Sequence, residues 1–273
     1  MFTDKKTKMS FAAAFTAVII LCCIGCAKNS PKDNLTIGQR FHHQTALTPT
    51  GTLADALSAK PPEPSRYKLY PNAQKVKLPQ PQYNGIAVEQ AIAKRRSVRN
   101  YSAEPIGLAD LSQLLFAAQG VTAKAPARSL RAAPSAGALY PFEIYIVVNN
   151  VKDLPQGIYH YAVADHCLEL IKAGNFTSDI VKAGLNQDKL GKSAVTFVLA
   201  AVFDRTRCKY GERGFRYIYM EAGHISQNIC LQAVSLNLGT VTVGGFLDEE
   251  VNKLVEIDGR NEAAIYLQPV GKP

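Results

Sequence analysis

The sequence predicts an α+β fold, because helical and strand patterns alternate along its second part and two neighbouring strand patterns suit an antiparallel hairpin. Hydrophobic residues make up 47% of the 273 residues and charged residues 19%. This composition is typical of a globular protein with a sizeable core, and it excludes a chain that is disordered throughout. The length leaves room for one large or two small domains.

The first 25 residues have the pattern of an export signal. Three lysines precede the apolar stretch 11–24, which is too short to span a bilayer comfortably. The stretch ends in Gly25-Cys26 and resembles a bacterial lipobox, which implies cleavage before Cys26 and lipidation of its thiol. An ordinary signal peptide and a marginal anchor helix are the alternatives. By the same resemblance, Ala27 after the cysteine favours the outer over the inner membrane, on the periplasmic side.

Residues 26–82 are predicted to be a proline-rich linker. Six prolines fall between positions 61 and 81, and this density opposes regular helix and suits an extended spacer or a strap over a domain surface. Residues 53–57 suit one short helical turn. The folded domain is therefore predicted to span residues 83–273.

Within that domain, apolar residues at helical or alternating spacing predict the elements in order. The first are helices at 88–96 and 108–118, a strand at 144–148, a hairpin from strands 157–161 and 167–171, and a helix at 180–185. A continuous apolar run at 195–202 predicts a central strand covered on both faces.

The longest predicted helix spans residues 215–236, where apolar residues step by three or four. Its length indicates a core helix or a dimer-interface helix. Strands at 240–243 and 264–267 follow, on either side of a helix at 248–255. Asp248 is predicted to cap that helix, with Glu249 and Glu250 in its favourable first turn.

Net charge and reactive side chains narrow the possible partners. The formal charge of +9 suits nucleic acid or a small anionic ligand, and the scattered basic residues and the export signal favour the small ligand. Cys167, Cys208 and Cys230 cannot form a full disulfide framework, so free thiols are favoured over one disulfide and one thiol. The five histidines show no metal-ligand spacing, and no metal site is expected.

Two motifs suit ligand binding. Residues 134–141 (Pro-Ser-Ala-Gly-Ala-Leu-Tyr-Pro) form a small-residue turn before the strand, where Gly137 permits close approach of a ligand to the backbone. Residues 95–99 (Arg-Arg-Ser-Val-Arg) place three guanidinium groups and a hydroxyl where they can bind a phosphate. The alternatives are an ordinary loop and cations that complement a helix C-terminus.

Two further motifs are residues 243–246 (Val-Gly-Gly-Phe) and the closing 271–273 (Gly-Lys-Pro). The four motifs resemble those of the nitroreductase superfamily and follow one another in the same order along the chain. The resemblance covers roughly residues 83–273. It implies a central, mostly antiparallel sheet flanked by helices, an intertwined homodimer and FMN at the subunit interface.

The resemblance also implies roles for particular residues of this chain. The ribityl phosphate would be held by Arg95, Ser97, Arg99 and Lys272, while Arg96 would approach the ring or ribityl chain. One side of the isoalloxazine would be lined by Pro134, Ser135, Gly137 and Leu139. Backbone N–H groups of Gly244 and Gly245 would approach N5. Ala138 departs from the pattern, because many members carry Asn there, in contact with the pyrimidine edge of the flavin.

A narrower resemblance lies at residues 204–217, which are similar to the SagB-type dehydrogenase branch. Peptide-modifying members of that branch oxidise azolines to azoles with a Lys-Tyr pair, which Lys209 and Tyr210 match. A desolvated lysine among cations is suited to act as a base, with tyrosine as a relay. A solvated basic loop that opens the long helix is the alternative reading.

These observations predict an FMN-dependent oxidoreductase that transfers a hydride between flavin N5 and a small organic substrate. Substrate dehydrogenation is favoured, because NAD(P)H is scarce outside the cytoplasm. One alternative is an NAD(P)H-dependent nitroreductase or quinone-type reductase. Another is a non-catalytic surface lipoprotein that binds an anionic ligand.

Overall fold

The computed structural model describes residues 35–48, 58–124 and 129–273. The chain divides into two units, one ending at Ala46 and the other beginning at Leu47. In the first unit, helix α1 spans Ile37–Gln44. It begins with a capping box, in which the Gln39 N–H donates to Thr36 Oγ1 and the Thr36 N–H donates to Gln39 Oε1. This helix lies within the predicted linker and was not expected there; no proline interrupts it.

A seven-stranded antiparallel sheet forms the centre of the second unit, with strand order β1-β6-β5-β4-β7-β9-β8. Its strands are β1 (Lys75–Lys77), β4 (Phe142–Val148), β5 (Gly157–Ala162), β6 (Cys167–Ala173), β7 (Val195–Val202), β8 (Gly239–Thr240) and β9 (Glu262–Gly271). A separate hairpin consists of β2 (Val121–Lys124) and β3 (Ser129–Arg131).

The strand predictions are confirmed in type and differ in length. The predicted hairpin is β5 and β6, which pair antiparallel with Tyr159 opposite Leu170. The predicted central strand is β7, buried along its length except at Val202 and bordered by β4 and β9. The predicted strand at 240–243 is shorter, because β8 ends at Thr240 and only an isolated bridge joins Val243 to Leu267.

Seven helices flank the sheet in the described part of the second unit: α2 (Val88–Lys94), α3 (Leu108–Gln119), α4 (Thr177–Ala183), α5 (Asp188–Lys192), α6 (Asp204–Tyr210), α7 (Gly214–Ser235) and α8 (Asp248–Leu254). The predicted cap at Asp248 is wrong. Asp248 is the first residue of α8, and Leu247 takes the cap position without a side-chain hydrogen bond.

The core lies on both faces of the sheet. On one face, Ile218, Ile225 and Ile229 of α7 are fully buried and belong to the same cluster as Leu111 of α3. On the other face, Ile180 of α4 is buried in a second cluster with strand and helix residues. Each such side chain contributes about 1.5–3 kcal/mol of burial free energy. The central sheet flanked by helices is thereby confirmed.

Part of the chain before the predicted domain also joins the second unit. Residues 58–82 are called the strap here, and β1 within the strap forms the outermost strand beside β6. Among the described residues, no helix is long and apolar enough to cross a membrane. The predicted leader, Cys26 and the short helical turn at 53–57 lie outside the described residues.

Candidate active site

The turn at residues 134–141 has a backbone that favours glycine. Gly137 has φ +63°, and Ala138 and Tyr140 have φ +52° and +47°, which places two non-glycine residues in the left-handed region. Ser135 Oγ accepts a hydrogen bond from the Tyr140 N–H at 2.8 Å and holds the turn closed. Left-handed non-glycine residues cost about 1–3 kcal/mol each and persist only where surrounding contacts fix them. The turn is therefore strained and held by its neighbours.

Gly137 lies directly beneath the predicted Lys–Tyr pair. A Cβ atom at Gly137 would stand 2.9 Å from the Tyr210 hydroxyl and 3.2 Å from Lys209 Nζ. Only a residue without a side chain leaves both groups in place. Because the turn and the pair are some seventy residues apart in the chain, the fold alone brings them together.

Lys209 and Tyr210 lie on α6 rather than on the basic loop that was the alternative prediction. The Lys209 side chain is exposed, so the predicted desolvation is absent in this chain. Its Nζ lies 5.3 Å from the centre of the Tyr210 ring, which packs edge-on against Tyr217. The neighbouring cation Arg207 is engaged by Asp204, at 2.7 Å.

Arg205 fixes α6 relative to the turn. Its guanidinium makes a 2.5 Å ion pair with Glu143 of β4 and donates to the carbonyl oxygen of Tyr140 at 3.4 Å. Its Nε also donates to the carbonyl oxygen of Ser65 in the strap. One buried side chain thus joins α6, the sheet, the turn and the strap.

A buried charge network continues from Glu143. His160 lies between two carboxylates, 2.9 Å from Glu143 Oε2 and 2.9 Å from Glu169 Oε2. Burial by itself would raise the pKa of Glu143, but the His160 hydrogen bond and the charge of Arg205 lower it to about 2. Glu143 therefore stays ionised and keeps Arg205 in place near neutral pH.

The strap is held by a second polar cluster. Lys68 Nζ donates to Glu262 at 2.6 Å and to the Tyr145 hydroxyl at 2.7 Å. Burial opposes the charge on Lys68, yet its pKa is raised by Glu262. Further along the strap, Lys60 Nζ donates to the carbonyl oxygen of Lys209 at the end of α6. The sequence reasoning missed Lys60 and Lys68, because both were assigned to a linker.

The motif at 95–99 lies beside the end of the chain. Ser97 forms a parallel bridge with Thr240 of β8, and the Val98 N–H donates to the Thr240 carbonyl oxygen at 3.0 Å. On the other side, the Ser102 N–H donates to the carbonyl oxygen of Lys272 at 2.9 Å. The predicted phosphate ligands are therefore brought to one edge of the sheet.

The side chains of this basic cluster (Arg95, Ser97, Arg99 and Lys272) differ in their partners. Arg95 and Ser97 have no side-chain hydrogen bond or ion pair with the described residues, whereas Lys272 pairs with Glu104 at 2.8 Å. Arg99 donates to the Ser97 carbonyl oxygen at 3.3 Å. The neighbouring Arg96 donates to two carbonyl oxygens at the end of α2, as the structural alternative predicts.

Lys189 of α5 is a further cation that the sequence reasoning missed. Burial and the charge of Arg99 both lower the pKa of Lys189. Its Nζ donates to Gln187 Oε1 at 2.5 Å, and the Gln187 amide donates to the carbonyl oxygen of Gly245 at 2.8 Å. Gln187 thus connects Gly245 to Lys189, which lies near Arg99.

Gly244 and Gly245 are exposed, and no described residue accepts a hydrogen bond from their N–H groups. A Cβ at either position would meet only ordinary contacts of 3.4 Å or more. Packing within this chain therefore does not require glycine there, and the open N–H groups suit an external acceptor. Within the turn, Pro134 is exposed, whereas Leu139 is buried, so a ligand contact from Leu139 would come from its backbone.

Three other features concern reactive groups. Cys167, Cys208 and Cys230 are all free thiols, and Cys208 is only half-buried. In the described part of the chain, no group of three histidine, cysteine or acidic residues is arranged to hold a metal. Glu221 of α7 is a buried carboxylate near Ser135 that the sequence reasoning missed.

Comparison with known proteins gives consistent results. The model of the nitroreductase family matches residues 92–272. MJ1384, a Methanocaldococcus jannaschii protein that carries the nitroreductase name, is 41% identical over 70% of this chain and 94% of its own length. The microcin B17-processing protein McbC of Escherichia coli is 31% identical over 54% of this chain and 56% of its own length.

A solved structure that carries the nitroreductase name, from Anabaena variabilis, superimposes with a TM-score of 0.70 and 29% identity. The match covers 90% of this chain and 49% of the Anabaena chain. The present chain thus spans about half the length of McbC and of the Anabaena protein, and nearly all of MJ1384.

Proposed function

This chain belongs to the nitroreductase family, and from that premise we propose that it is an FMN-dependent enzyme that dehydrogenates a small organic substrate. Family membership makes it an oxidoreductase. The dehydrogenation is supported chiefly by one observation, the contact of Lys209 and Tyr210 with Gly137 in the turn.

The residues at the sheet edge fit the phosphate of FMN. Arg95 and Ser97 offer a guanidinium and a hydroxyl that form no side-chain hydrogen bond or ion pair with a described residue, and Lys189 adds positive charge near Arg99. A charge-assisted bond to phosphate is stronger than a neutral hydrogen bond. We propose that Arg95, Ser97 and Arg99 hold the phosphate, and that Lys272 joins them by exchanging Glu104 for it.

The remaining predicted contacts fit the ring. Gly244 and Gly245 present open N–H donors, and Gln187 links Gly245 to Lys189, the cation near Arg99. We propose that Pro134, Ser135, Gly137 and Leu139 line the other side. When bound, FMN supplies the acceptor for the hydride that leaves the substrate.

The chain must then take the second hydrogen as a proton. The Tyr210 hydroxyl and Lys209 Nζ lie 2.9 and 3.2 Å from the place that a Cβ of Gly137 would occupy. We propose that Lys209, as the neutral amine, accepts this proton, with the Tyr210 hydroxyl as a relay, and then releases it to solvent. The substrate loses a C–H bond and one neighbouring proton and gains a double bond, so atoms and electrons balance. The exposure of Lys209 gives the proton a way out.

An azoline, the five-membered ring that SagB-type enzymes oxidise to an azole, is the substrate class that we propose. Support comes from the Lys–Tyr pair and from the similarity to McbC, which is named for microcin B17 processing. The alternative within the family is a reductase that uses NAD(P)H to reduce nitro compounds or quinones.

The two functions are separated by asking what reduces the flavin. FMN-loaded protein is mixed anaerobically with a thiazoline-containing peptide, with NADH or with NADPH, and the flavin absorbance is followed. Bleaching by the peptide, with loss of two hydrogens by mass spectrometry, supports the dehydrogenase. Bleaching by NAD(P)H alone supports the reductase. A protein that binds no FMN would favour a non-catalytic lipoprotein that binds an anionic ligand.

We also propose a homodimer. Val88 and Ile92 of α2 are more than half exposed, and so is Met220 of α7. Exposed apolar side chains on neighbouring helices are typical of an interface. Size-exclusion chromatography with light scattering should give twice the mass of the mature chain, and charged substitutions at Ile92 and Met220 should give the mass of one chain.

The cell-envelope location is a further proposal. The lipobox pattern around Cys26 supports export and lipid attachment on the periplasmic side, with the outer membrane favoured by Ala27. Metabolic labelling with a fatty acid should mark the wild-type protein and leave the Cys26→Ala variant unlabelled. Labelling of both proteins would contradict the assignment.

A further inference from the structure

Tyr217 contacts the ring of Tyr210 at the corner between α6 and α7. The two ring centres lie 4.9 Å apart, and the ring planes are nearly perpendicular, at 81°. Aromatic pairs favour this T-shaped arrangement, because the electron-poor edge of one ring meets the electron-rich face of the other. Tyr210 is the last residue of α6, and Tyr217 lies in the first turn of α7. Both side chains are half-buried.

Two glycines build this corner. Gly211 has φ +53°, a positive value that favours glycine, and it ends α6. Gly214, the first residue of α7, lies so close to α6 that a Cβ there would stand 3.3 Å from the backbone of Arg207. The first turn of α7 therefore packs directly against α6, and this packing brings Tyr217 onto Tyr210.

Tyr217 is itself held in place by Arg213. The Tyr217 hydroxyl oxygen accepts a hydrogen bond from Arg213 Nε at 3.4 Å, and the guanidinium lies 5.5 Å from the centre of the Tyr217 ring. The two residues are four apart, so their side chains lie on the same side of the helix start. The contact of a cation with an aromatic ring adds to the hydrogen bond. The Tyr217 ring thus meets Tyr210 in a fixed orientation.

The orientation of the Tyr210 ring determines where its hydroxyl lies. That hydroxyl lies 2.9 Å from the place of a Gly137 Cβ, beside Lys209 Nζ at 3.2 Å from the same place. Within the described part of the chain, no hydrogen bond holds the Tyr210 side chain, so its ring contacts with Tyr217 and Lys209 set its position. Because the hydroxyl stands at the far end of the ring, a change of rotamer would carry it away from Gly137.

We propose that Tyr217 is a positioning residue for the substrate oxidation, because its ring keeps the Tyr210 hydroxyl beside Gly137 and Lys209. This inference rests on the proposed dehydrogenase, in which the Tyr210 hydroxyl is the proton relay. Tyr217 acts only through Tyr210. Its loss should therefore slow the reaction only in a protein that carries the Tyr210 hydroxyl.

The test is a double-mutant cycle of Tyr217→Leu and Tyr210→Phe in FMN-loaded protein, measured as the rate of anaerobic flavin reduction by a thiazoline peptide. With Tyr210 present, Tyr217→Leu should slow the reaction about two- to tenfold, the range of one aromatic pair. In the Tyr210→Phe background it should cause no further loss, whereas a general loosening of the site would slow both backgrounds equally. Tyr217→Phe, which keeps the ring, should react at the wild-type rate.

Phe215→Leu is the matched control. Phe215 is also half-buried in the first turn of α7, and its ring pairs with Phe203, which precedes α6, at 5.2 Å. The substitution removes an aromatic pair from the same corner without touching Tyr210. It should lower the melting temperature as Tyr217→Leu does and leave the rate of flavin reduction unchanged.

Four results would overturn the inference: an equal loss of rate in Phe215→Leu, a slow Tyr217→Phe, an equal effect of Tyr217→Leu in both backgrounds, or no effect in either. If Tyr217→Leu does not fold, Tyr217→Met takes its place in the cycle, because the flexible methionine side chain fills irregular space. A wild-type flavin that the thiazoline peptide does not reduce would overturn the proposed dehydrogenase, and with it this inference.

Discussion

Replacement of Gly137 by alanine separates the role of the turn from general stability. The new methyl group would enter a left-handed position, at a cost of about 1–2 kcal/mol. For a domain of this size, that lowers the melting temperature by about 2–8 °C. The Tyr210 hydroxyl, 2.9 Å from the new Cβ, must also move by about half an ångström to reach an ordinary 3.4 Å contact. Because that group ends a flexible side chain, the movement costs little stability and changes mainly the site.

A displacement of this size at a reacting group should slow the chemistry by about tenfold or more. The assay is anaerobic stopped-flow reduction of the flavin by a thiazoline peptide, beside thermal melting of each protein. Gly259→Ala is the matched control. Gly259 also has a left-handed backbone, φ +70°, and its Cβ would stand 2.8 Å from Asn252, away from the turn. Both variants should melt earlier, but only Gly137→Ala should be slow. A Gly137→Ala protein with the wild-type rate would refute the proposed placement of the Lys–Tyr pair.

Three other outcomes are expected. Arg95→Ala should weaken FMN binding by about 10- to 100-fold, the value of one bond to a charged group, and leave riboflavin binding unchanged, as fluorescence titration with both ligands would show. Lys209→Met and Tyr210→Phe should each keep FMN, visible in the absorbance spectrum, and slow substrate oxidation by about 10²- to 10⁴-fold. Arg205→Met should lower the free energy of unfolding by about 3–5 kcal/mol near pH 7 in urea titrations. The folded-state pKa of Glu143 is about 2, against the usual 4.5. Ionisation of Glu143 therefore contributes about 3 kcal/mol to the free energy of unfolding above pH 4.5, and this contribution is lost as the pH falls towards 2. The loss should be smaller in Arg205→Met.

The fold was predictable wherever a pattern of apolar residues repeats. The three- and four-residue spacing along α7 predicts its length to within two residues at either end. The continuous apolar run at β7 predicts a strand buried on both faces. The short helix α1 was not predicted, because it depends on the Thr36–Gln39 capping box rather than on an apolar face: none of its residues is buried.

The motifs of the site could be predicted from the sequence, but the contacts between them could not. The resemblance named Gly137, Lys209 and Tyr210 separately, but their contact depends on the anchoring of α6 by Arg205 to Glu143 of β4. In the sequence, Arg205 is one of several arginines in a basic stretch, and nothing local distinguishes it from its less buried neighbours. A long-range ion pair of this kind has no sequence signal in a single chain.

The burial of Glu221 could not be predicted from the sequence either. At its position on α7 it occupies the buried side of an amphipathic helix, where the spacing predicts an apolar residue. A glutamate there can be recognised as exceptional only once its burial and the approach of Ser135 and Arg131 are known. Its position in the fold, rather than its residue type, sets Glu221 apart from the other carboxylates.

The most direct test of the FMN assignment is the absorbance spectrum of the purified protein, followed by identification of the released chromophore by mass spectrometry. The purified protein should be yellow, carry FMN at one molecule per protomer and lose its flavin absorbance when a thiazoline peptide is added without oxygen. A colourless protein that neither quenches nor retains added FMN would contradict the FMN assignment.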